Sequence, residues 1–487
     1  MAEQKRVAFL IMGSQGDHQP FVSLAKALLA RNVEVEVWTI GEKMVSFLED
    51  LGVDAKLLDG MGPEEMLAIP EIMDVIATGD FGKMSKMMMK YGGPTLPAMY
   101  DSLFAHCERF KPHLIAHNNL QQGNGRLLHD MYGVNTVMLQ LYPRSPTSFE
   151  PPVFMSTVPL LSQNFFCDCG VNKHLLPKMI LGKMHTAALD PTGAGQRRRA
   201  AAGLPPMTVD DVYELFDKMP VLCGWSPAVF GGYPDRPSDQ IVGYWTLSEA
   251  EQLAAFEPTA ELEAFLDPNA GEKPVYIGWG SMTTRSDKVP SSPVFMTTLA
   301  VEAAKLANVR AVILSGWAKL GPEHLPADRT DLKEYAASGC VHFAGRVPHG
   351  WLMPKCQSAV VHGGAGTTAA VLKAGIPCII APVMPTDQPW WGQRVTALGV
   401  GVWLGKTLRN STAAELAAAI GAVDDTMREK AARLASEINR EDGPAKGADA
   451  LAALAASAPP PKYPEVRRRQ SFTEMGVGSQ LNLTASL

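Results

Sequence analysis

Long apolar runs are the first thing this 487-residue chain lacks. No stretch approaches the roughly 20 consecutive apolar residues that a bilayer-spanning helix needs. The apolar part of the opening MAEQKRVAFLIMG is too short for a secretory signal and reads as a first β-strand. Cysteine is scarce: of 7, only Cys167 and Cys169 are close together, which is neither a zinc-ligand spacing nor a disulfide framework. Reduced thiols and a cytoplasmic location are therefore expected. An excess of basic charge is missing too. Lys and Arg number 44 against 50 Asp and Glu, a net charge of −6, which argues against general affinity for nucleic acid. There is no GxxxxGK[ST], which removes a P-loop, and no GxGxxG with an acid after the second strand, which counts against NAD. The sequon Asn482-Leu483-Thr484, without a secretory signal, is read as chance.

What is present suits a globular protein with ample core: 46% apolar and 19% charged residues, in a chain too long for one ordinary domain. Two segments share one grammar. Residues 7–12 form a short apolar run, followed by GSQGDHQP, a helical pattern FVSLAKALLARN that Pro20 opens, and a second apolar run VEVEVWTI. That is a βαβ unit, and it implies a parallel sheet. Further strands are expected at HLIAH (113–117), TVMLQL (136–141) and PVLCGW (220–225). After a Glu-, Ala- and Pro-rich linker at 246–273, the pattern restarts with PVYIGWG (274–280), RAVILSG (310–316), CVHFAG (340–345), SAVVHG (358–363) and PCIIAP (377–382). The expected class is α/β, with two doubly wound parallel-sheet domains facing a cleft: residues 1–240 and 241–458. A Pro- and Arg-rich tail, 459–487, is expected to be flexible, its arginines solvated.

Both glycine turns lie where ligands bind in such sheets, beyond the carboxyl ends of strands. In VHGGAGTT, His362 ends a strand, Gly363, Gly364 and Gly366 permit a tight turn, and Thr367 and Thr368 open a helix. Helix-terminal N–H groups, hydroxyls and a histidine make a phosphate site; an empty strand–helix turn is the other reading. No acidic cluster suited to Mg²⁺ lies nearby. In the first turn Asp17 and His18 are adjacent, so one of them faces the cleft. Asp17 serves chemistry or caps the Pro20 helix, and local sequence leaves both open.

At these residues the chain resembles the UDP-glycosyltransferase superfamily (GT-B, family 1), and within it the branch of sterol 3-β-glucosyltransferases and bacterial antibiotic glycosyltransferases. That branch has GxRGDxxP, matched by GSQGDHQP; PVYVGFGSM, matched by PVYIGWGSM (274–282); an SSGW-type strand end, matched by SGW (315–317); and VPHDWLFP, matched by VPHGWLMP (347–354). Its donor signature, HHGGAGTTAAGLRAGVP then GDQPFWG, is matched by VHGGAGTTAAVLKAGIP and TDQPWWG. The resemblance runs in order over about residues 6–440 and implies a GT-B fold, with the acceptor held by the first domain and the nucleotide sugar by the second. Mapped onto this sequence it implies Asp17 as catalytic base. It implies donor contacts from Ser281, Trp317, Arg346, Val347, His362, Gly364, Ala365, Gly366, Thr367, Asp387 and Gln388, with Gly16, His18 and His117 on the acceptor side.

Three positions depart from the family pattern. Val361 replaces the first of two histidines. Arg346 stands where many members stack uracil on tryptophan, and a guanidinium plane also stacks on a base. No acid follows the strand ending Ala116-His117-Asn118, as fits a base that is already a carboxylate. The implied activity is metal-free, inverting transfer of a sugar, glucose first, from a UDP-sugar to a hydroxyl of a lipophilic polycyclic acceptor: sterol, terpenoid or polyketide. No bound cofactor is expected, and a monomer with at most peripheral membrane contact. Met-rich stretches at 61–76, 81–93 and 149–161 suit such an acceptor, or are ordinary core. A nucleotide-sugar epimerase and a non-catalytic sugar-nucleotide binder are the competing readings; the GDxxP turn opposes the first, and the retained Asp17, His362, Asp387 and Gln388 oppose the second.

Overall fold

A computed structural model of the chain describes residues 4–62, 65–66, 69–72, 75, 81–145, 147–149, 178, 193–254, 256–280, 292–316, 319–384 and 387–463. Ser281, Trp317, Cys167, Cys169, residues 151–161, the tail arginines and the sequon lie outside these residues.

Two parallel sheets carry the fold. The first contains β1 (Arg6–Leu10), β2 (Glu34–Ile40), β3 (Ala55–Leu58), β4 (Leu114–Asn118), β5 (Asn135–Gln140), β6 (Val221–Cys223) and β7 (Asp239–Ile241). The second contains β8 (Val275–Gly278), β9 (Ala311–Leu314), β10 (Val341–Ala344), β11 (Ser358–Val361), β12 (Cys378–Ile380) and β13 (Gly401–Trp403). Their orders are β3-β2-β1-β4-β5-β6-β7 and β10-β9-β8-β11-β12-β13, so each sheet reverses direction once, beside β1 or β8. Strands such as Val7–Leu10 and Val275–Gly278 are buried throughout, because helices cover both faces of a parallel sheet. That is why they read as unbroken apolar runs.

The helices used below are α1 (Gln15–Leu29), α2 (Gln122–Tyr132), α3 (Ala365–Ala374), α4 (Gln388–Leu398), α5 (Asp425–Ile438) and α6 (Gly443–Ser457). Helix α1 begins five residues before Pro20, which corrects the expected boundary. Ser14 is its N-cap, Asp17 lies in its first turn, and Pro20 sits inside the helix. The 246–273 segment likewise holds two short helices, Glu249–Leu253 and Ala260–Leu266.

The chain crosses between the sheets twice, and the crossings touch backbone to backbone. Gly243 (φ +100) lies against Gly443: a Cβ on Gly243 would come within 3.1 Å of the Gly443 Cα, and a Cβ on Gly443 would overlap the Tyr244 carbonyl. Beyond the second crossing α6 returns to the first sheet. Its Ala448, Leu451 and Ala455 share a buried core with Val7, Leu24, Leu28 and Trp245. The tail reading also needs correction at its start. Lys462 N–H donates to the Tyr132 carbonyl at 2.8 Å, the Tyr463 hydroxyl donates to the Pro112 carbonyl at 2.7 Å, and the Tyr463 and Tyr132 rings lie 5.2 Å apart. The five described cysteines are free thiols.

Candidate active site

Both reversal points put a glycine turn at the carboxyl ends of strands. After β1 the chain turns through Gly13 (φ +137), where a Cβ would lie 2.5 Å from Asp17 Cγ. Glycine is required there both by backbone and by space. The Asp17 carboxylate folds back over this turn, its Oδ2 accepting from Ser14 N–H at 2.7 Å and from the Ser14 hydroxyl at 2.9 Å. Asp17 is thus the third residue of α1, reaching back to the N-cap, and not itself the cap. Its other oxygen, Oδ1, makes no hydrogen bond among the described residues. Burial raises its pKa above the ordinary 3.8, and the Ser14 bonds oppose that rise.

His18 points the other way. It is 1% exposed; its Nδ1–H donates to the Ser14 carbonyl at 2.9 Å and its Nε2 accepts from the Thr39 hydroxyl at 2.7 Å. With both nitrogens spent inside the protein, it pins α1 to β2 and does not face an acceptor. His117, at the end of β4, is also fully buried; it donates to the Asn118 carbonyl at 3.0 Å, and its Nε2 lies against Gly125 of α2, whose Cβ would come within 2.6 Å. Burial pushes the pKa of each histidine down to about 4. Gly16 is exposed on the first turn of α1.

In the second domain His362 lies between two glycines. A Cβ on Gly280 (φ +63) would come within 2.8 Å of its Cε1, and one on Gly364 would overlap its Nε2. The ring therefore sits against the N-terminus of α3, where Gly364 is the N-cap and the N–H groups of Ala365, Gly366 and Thr367 have no intrahelical partner. The Thr367 hydroxyl is half-buried and makes no hydrogen bond among the described residues. His362 Nδ1 is buried without a partner, which leaves Nε2 as the nitrogen directed to the helix end. Burial first, and His349 second, lower its pKa to about 4. A neutral imidazole beside a helix N-terminus fits a diphosphate as hydrogen-bond donor.

The Asp387-Gln388 pair opens α4 against the same turn. A Cβ on Gly363 (φ +90) would come within 3.0 Å of the Gln388 carbonyl oxygen. Gln388 Oε1 accepts from Val383 N–H at 2.8 Å and Met384 N–H at 2.9 Å, so its amide NH₂ is the part left for a ligand. Arg346 is exposed, its guanidinium 6.0 Å from the Phe47 ring of the first domain. Val347 is buried in the core, so only its backbone can meet a nucleotide. Among the described residues no group of three or more His, Cys, Asp or Glu could hold a metal ion.

Residues 324–454 match the family described as erythromycin biosynthesis protein CIII-like, C-terminal domain. The chain is 29% identical over 446 residues to a sterol 3-beta-glucosyltransferase of Komagataella phaffii, covering 90% of this chain and 33% of that one. It is 41% identical over 178 residues to the sterol 3-beta-glucosyltransferase UGT80A2 of Arabidopsis thaliana, covering 36% of this chain and 24% of that protein. The chain thus spans about a third or less of the length of these relatives. In fold it superposes on the calicheamicin glycosyltransferase CalG4 (TM-score 0.63, 16% identity, 94% of this chain and 100% of that one) and on SnogD from Streptomyces nogalater (TM-score 0.55, 21% identity, 93% and 100%). Residues 324–454 thus match a glycosyltransferase-type C-terminal domain, and the chain as a whole is similar to sterol 3-beta-glucosyltransferases. Its two parallel-sheet domains are the GT-B fold.

Two further groups were not singled out in the sequence: Tyr142, which carries no family motif, and His349, which lies within VPHGWLMP. Tyr142, two residues past β5, lies in the electrostatic reach of Asp17 and of Asp387, one carboxylate from each domain. His349, whose Nε2 lies 3.1 Å from the Tyr276 hydroxyl, contributes to lowering the His362 pKa. The available signal for Tyr142 was position alone, at the carboxyl end of a central strand.

Proposed function

We propose that the chain is an inverting glycosyltransferase that moves a sugar, glucose first, from a UDP-sugar to a hydroxyl of a lipophilic polycyclic acceptor such as a sterol, terpenoid or polyketide. The observation that carries this reading is a glycine turn at the strand-order reversal of each sheet, one holding Asp17 with an Oδ1 free among the described residues and the other setting His362 against the N-terminus of α3. Asp17 takes the acceptor proton as the acceptor oxygen bonds to the anomeric carbon. The bond from that carbon to the diphosphate breaks, and its electron pair leaves with UDP. His362 and the N-terminus of α3 stabilise the charge that develops there. Asp387 and the Gln388 amide hold sugar hydroxyls. Ser281 and Trp317 complete the donor side in this reading, and Arg346 stacks on the base. No metal or bound cofactor takes part, and the protein works as a cytoplasmic monomer.

The acceptor class is supported by two exposed apolar side chains on the loops after β4 and β5, Leu120 (41% exposed) and Phe149 (47%), and by the sterol acceptors in the names of the relatives. A solved neighbour is complexed with thymidine diphosphate, so TDP-sugars belong in the test. Purified protein would be incubated with UDP-glucose, UDP-galactose, UDP-xylose or TDP-glucose and a panel of polycyclic alcohols, and products read by mass spectrometry. Transfer from UDP-glucose is expected, with a loss of about 10²–10⁴-fold for Asp17→Asn. Full activity in that variant would remove Asp17 as the base, and absence of transfer from every donor would sink the reading.

A further inference from the structure

The oxygen that attacks the sugar must be held as well as deprotonated, and Asp17 makes only one contact to it. Tyr142 supplies what a second contact needs. Its loop is fastened to the end of β5: Arg144 N–H donates to Gln140 Oε1 at 3.2 Å, and Gln140 Nε2 donates to the Ser145 hydroxyl at 3.1 Å. The Tyr142 oxygen accepts from Asn119 Nδ2 at 3.1 Å and, more loosely, from Arg144 Nη1 at 3.4 Å. Arginine and the asparagine amide can only donate there, so both oxygen lone pairs are engaged and the phenolic hydrogen remains. Among the described residues that hydrogen has no acceptor. Asn119 follows β4, which lies between β1 and β5, so Asp17, Asn119 and Tyr142 rise from three neighbouring strand ends.

We propose that Tyr142 orients the nucleophile. Its hydroxyl donates to one lone pair of the acceptor oxygen while Asp17 Oδ1 accepts that oxygen's proton, which leaves the other lone pair aimed at the sugar carbon held by Asp387 and Gln388. Burial, and then the charges of Asp387 and Asp17, raise the phenol's pKa against the opposing Arg144, so the group stays a donor at neutral pH. The inference rests on the glycosyl-transfer reading above and deepens it.

The test is Tyr142→Phe, which keeps the ring and removes the hydroxyl, measured with the acceptor varied and then with the donor varied. Expected is a 10- to 100-fold fall in kcat/KM for the acceptor. UDP affinity and acceptor-free hydrolysis of the UDP-sugar should stay within about twofold, with an unchanged thermal melt. Asn119→Ala should show a smaller loss of the same kind. Acceptor kcat/KM within threefold of the parent in Tyr142→Phe overturns the proposal, and so does a loss of UDP affinity as large as the loss of turnover, which marks a structural role. A parent protein that transfers no sugar overturns the function reading, and this inference with it; a parent that transfers while the variant matches it overturns only the inference.

Discussion

Gly364→Ala isolates the phosphate role of His362 more cleanly than removing the histidine. Gly364 has φ −66 and ψ 142, a conformation open to any L-residue, so alanine brings no backbone strain. What it brings is a methyl group that overlaps His362 Nε2 and stands 3.1 Å from Cε1. The ring must turn away, and it cannot retreat toward Gly280, whose own missing Cβ marks how closely that side already packs. Forcing a side chain off its rotamer costs about 0.5–1.5 kcal/mol. The lost hydrogen bond to a charged diphosphate is worth about 1.5–3 kcal/mol. Together these give roughly 2–4.5 kcal/mol, or about 30- to 1,600-fold weaker binding at 1.4 kcal/mol per decade. Titration calorimetry with UDP reads this directly, and a thermal melt checks the fold. A UDP Kd within threefold of the parent, with the fold intact, would refute the placement of the diphosphate against His362.

Two further outcomes concern stability. His18, His117, His349 and His362 are all held neutral, with pKa values near 4 against 6.5 in a free chain. Because the folded values are depressed, the native state is favoured above pH 6.5 and loses that advantage as pH falls from 6.5 toward 4. By linkage each costs about 2 kcal/mol at pH 5, a large combined share of a typical 5–15 kcal/mol. The guanidinium midpoint should therefore drop clearly between pH 7 and pH 5, and a flat profile would show that these rings are solvated. Tyr463→Ala removes a ring packed on Tyr132 and the bond to Pro112, for an expected cost of about 2 kcal/mol. Deleting the chain after residue 458 should cost about the same by denaturant titration, and no loss in either would mean the Tyr463 contact contributes nothing.

Much of the fold was legible because parallel sheets buried on both faces leave continuous apolar runs, and the glycine turns between strand and helix punctuate them. The donor turn was legible for the same reason: Gly363 and Gly364 are demanded by contacts with Gln388 and His362 that no side chain would permit. The start of α1 was misplaced because proline favours a first helical turn, which drew the boundary to Pro20. The better signal was Ser14 followed three residues later by Asp17, the spacing of a box in which the acid reaches back to the N-cap. That shift also separates Asp17 from His18, whose two nitrogens are bonded inside the protein. On a helix successive side chains diverge by about 100°, so once both lie in α1 one faces the cleft and the other the core. Tyr142 was not legible, since what makes it notable is the adjacency of β4 and β5, which only the strand order supplies.

A reaction between two domains needs their separation fixed to a fraction of an ångström, and the way the chain crosses here bears on how that is achieved. The two crossings are pressed together at Gly243 and Gly443, with main chain against main chain. Beside them Glu441 accepts from the Ser226 hydroxyl at 2.6 Å, joining the second crossing to the end of β6, and Lys373 of α3 donates to Thr246 at 2.8 Å, joining the donor helix to the first crossing. Helix α3 is thus bonded through Lys373 to the strand-to-linker segment that leaves the first domain. Beyond the crossing, α6 packs on α1, whose first turn holds Asp17, and a Cβ on Gly447 would come within 2.5 Å of Leu24. The Asp17 turn and the His362 turn are therefore tied together from behind by these contacts, and Phe230 of the first domain meets Trp390 of α4 at 5.3 Å as well. If these contacts carry the alignment, Tyr142→Phe should leave the melting temperature and UDP affinity unchanged while Gly443→Ala, which would overlap the Tyr244 carbonyl, lowers both.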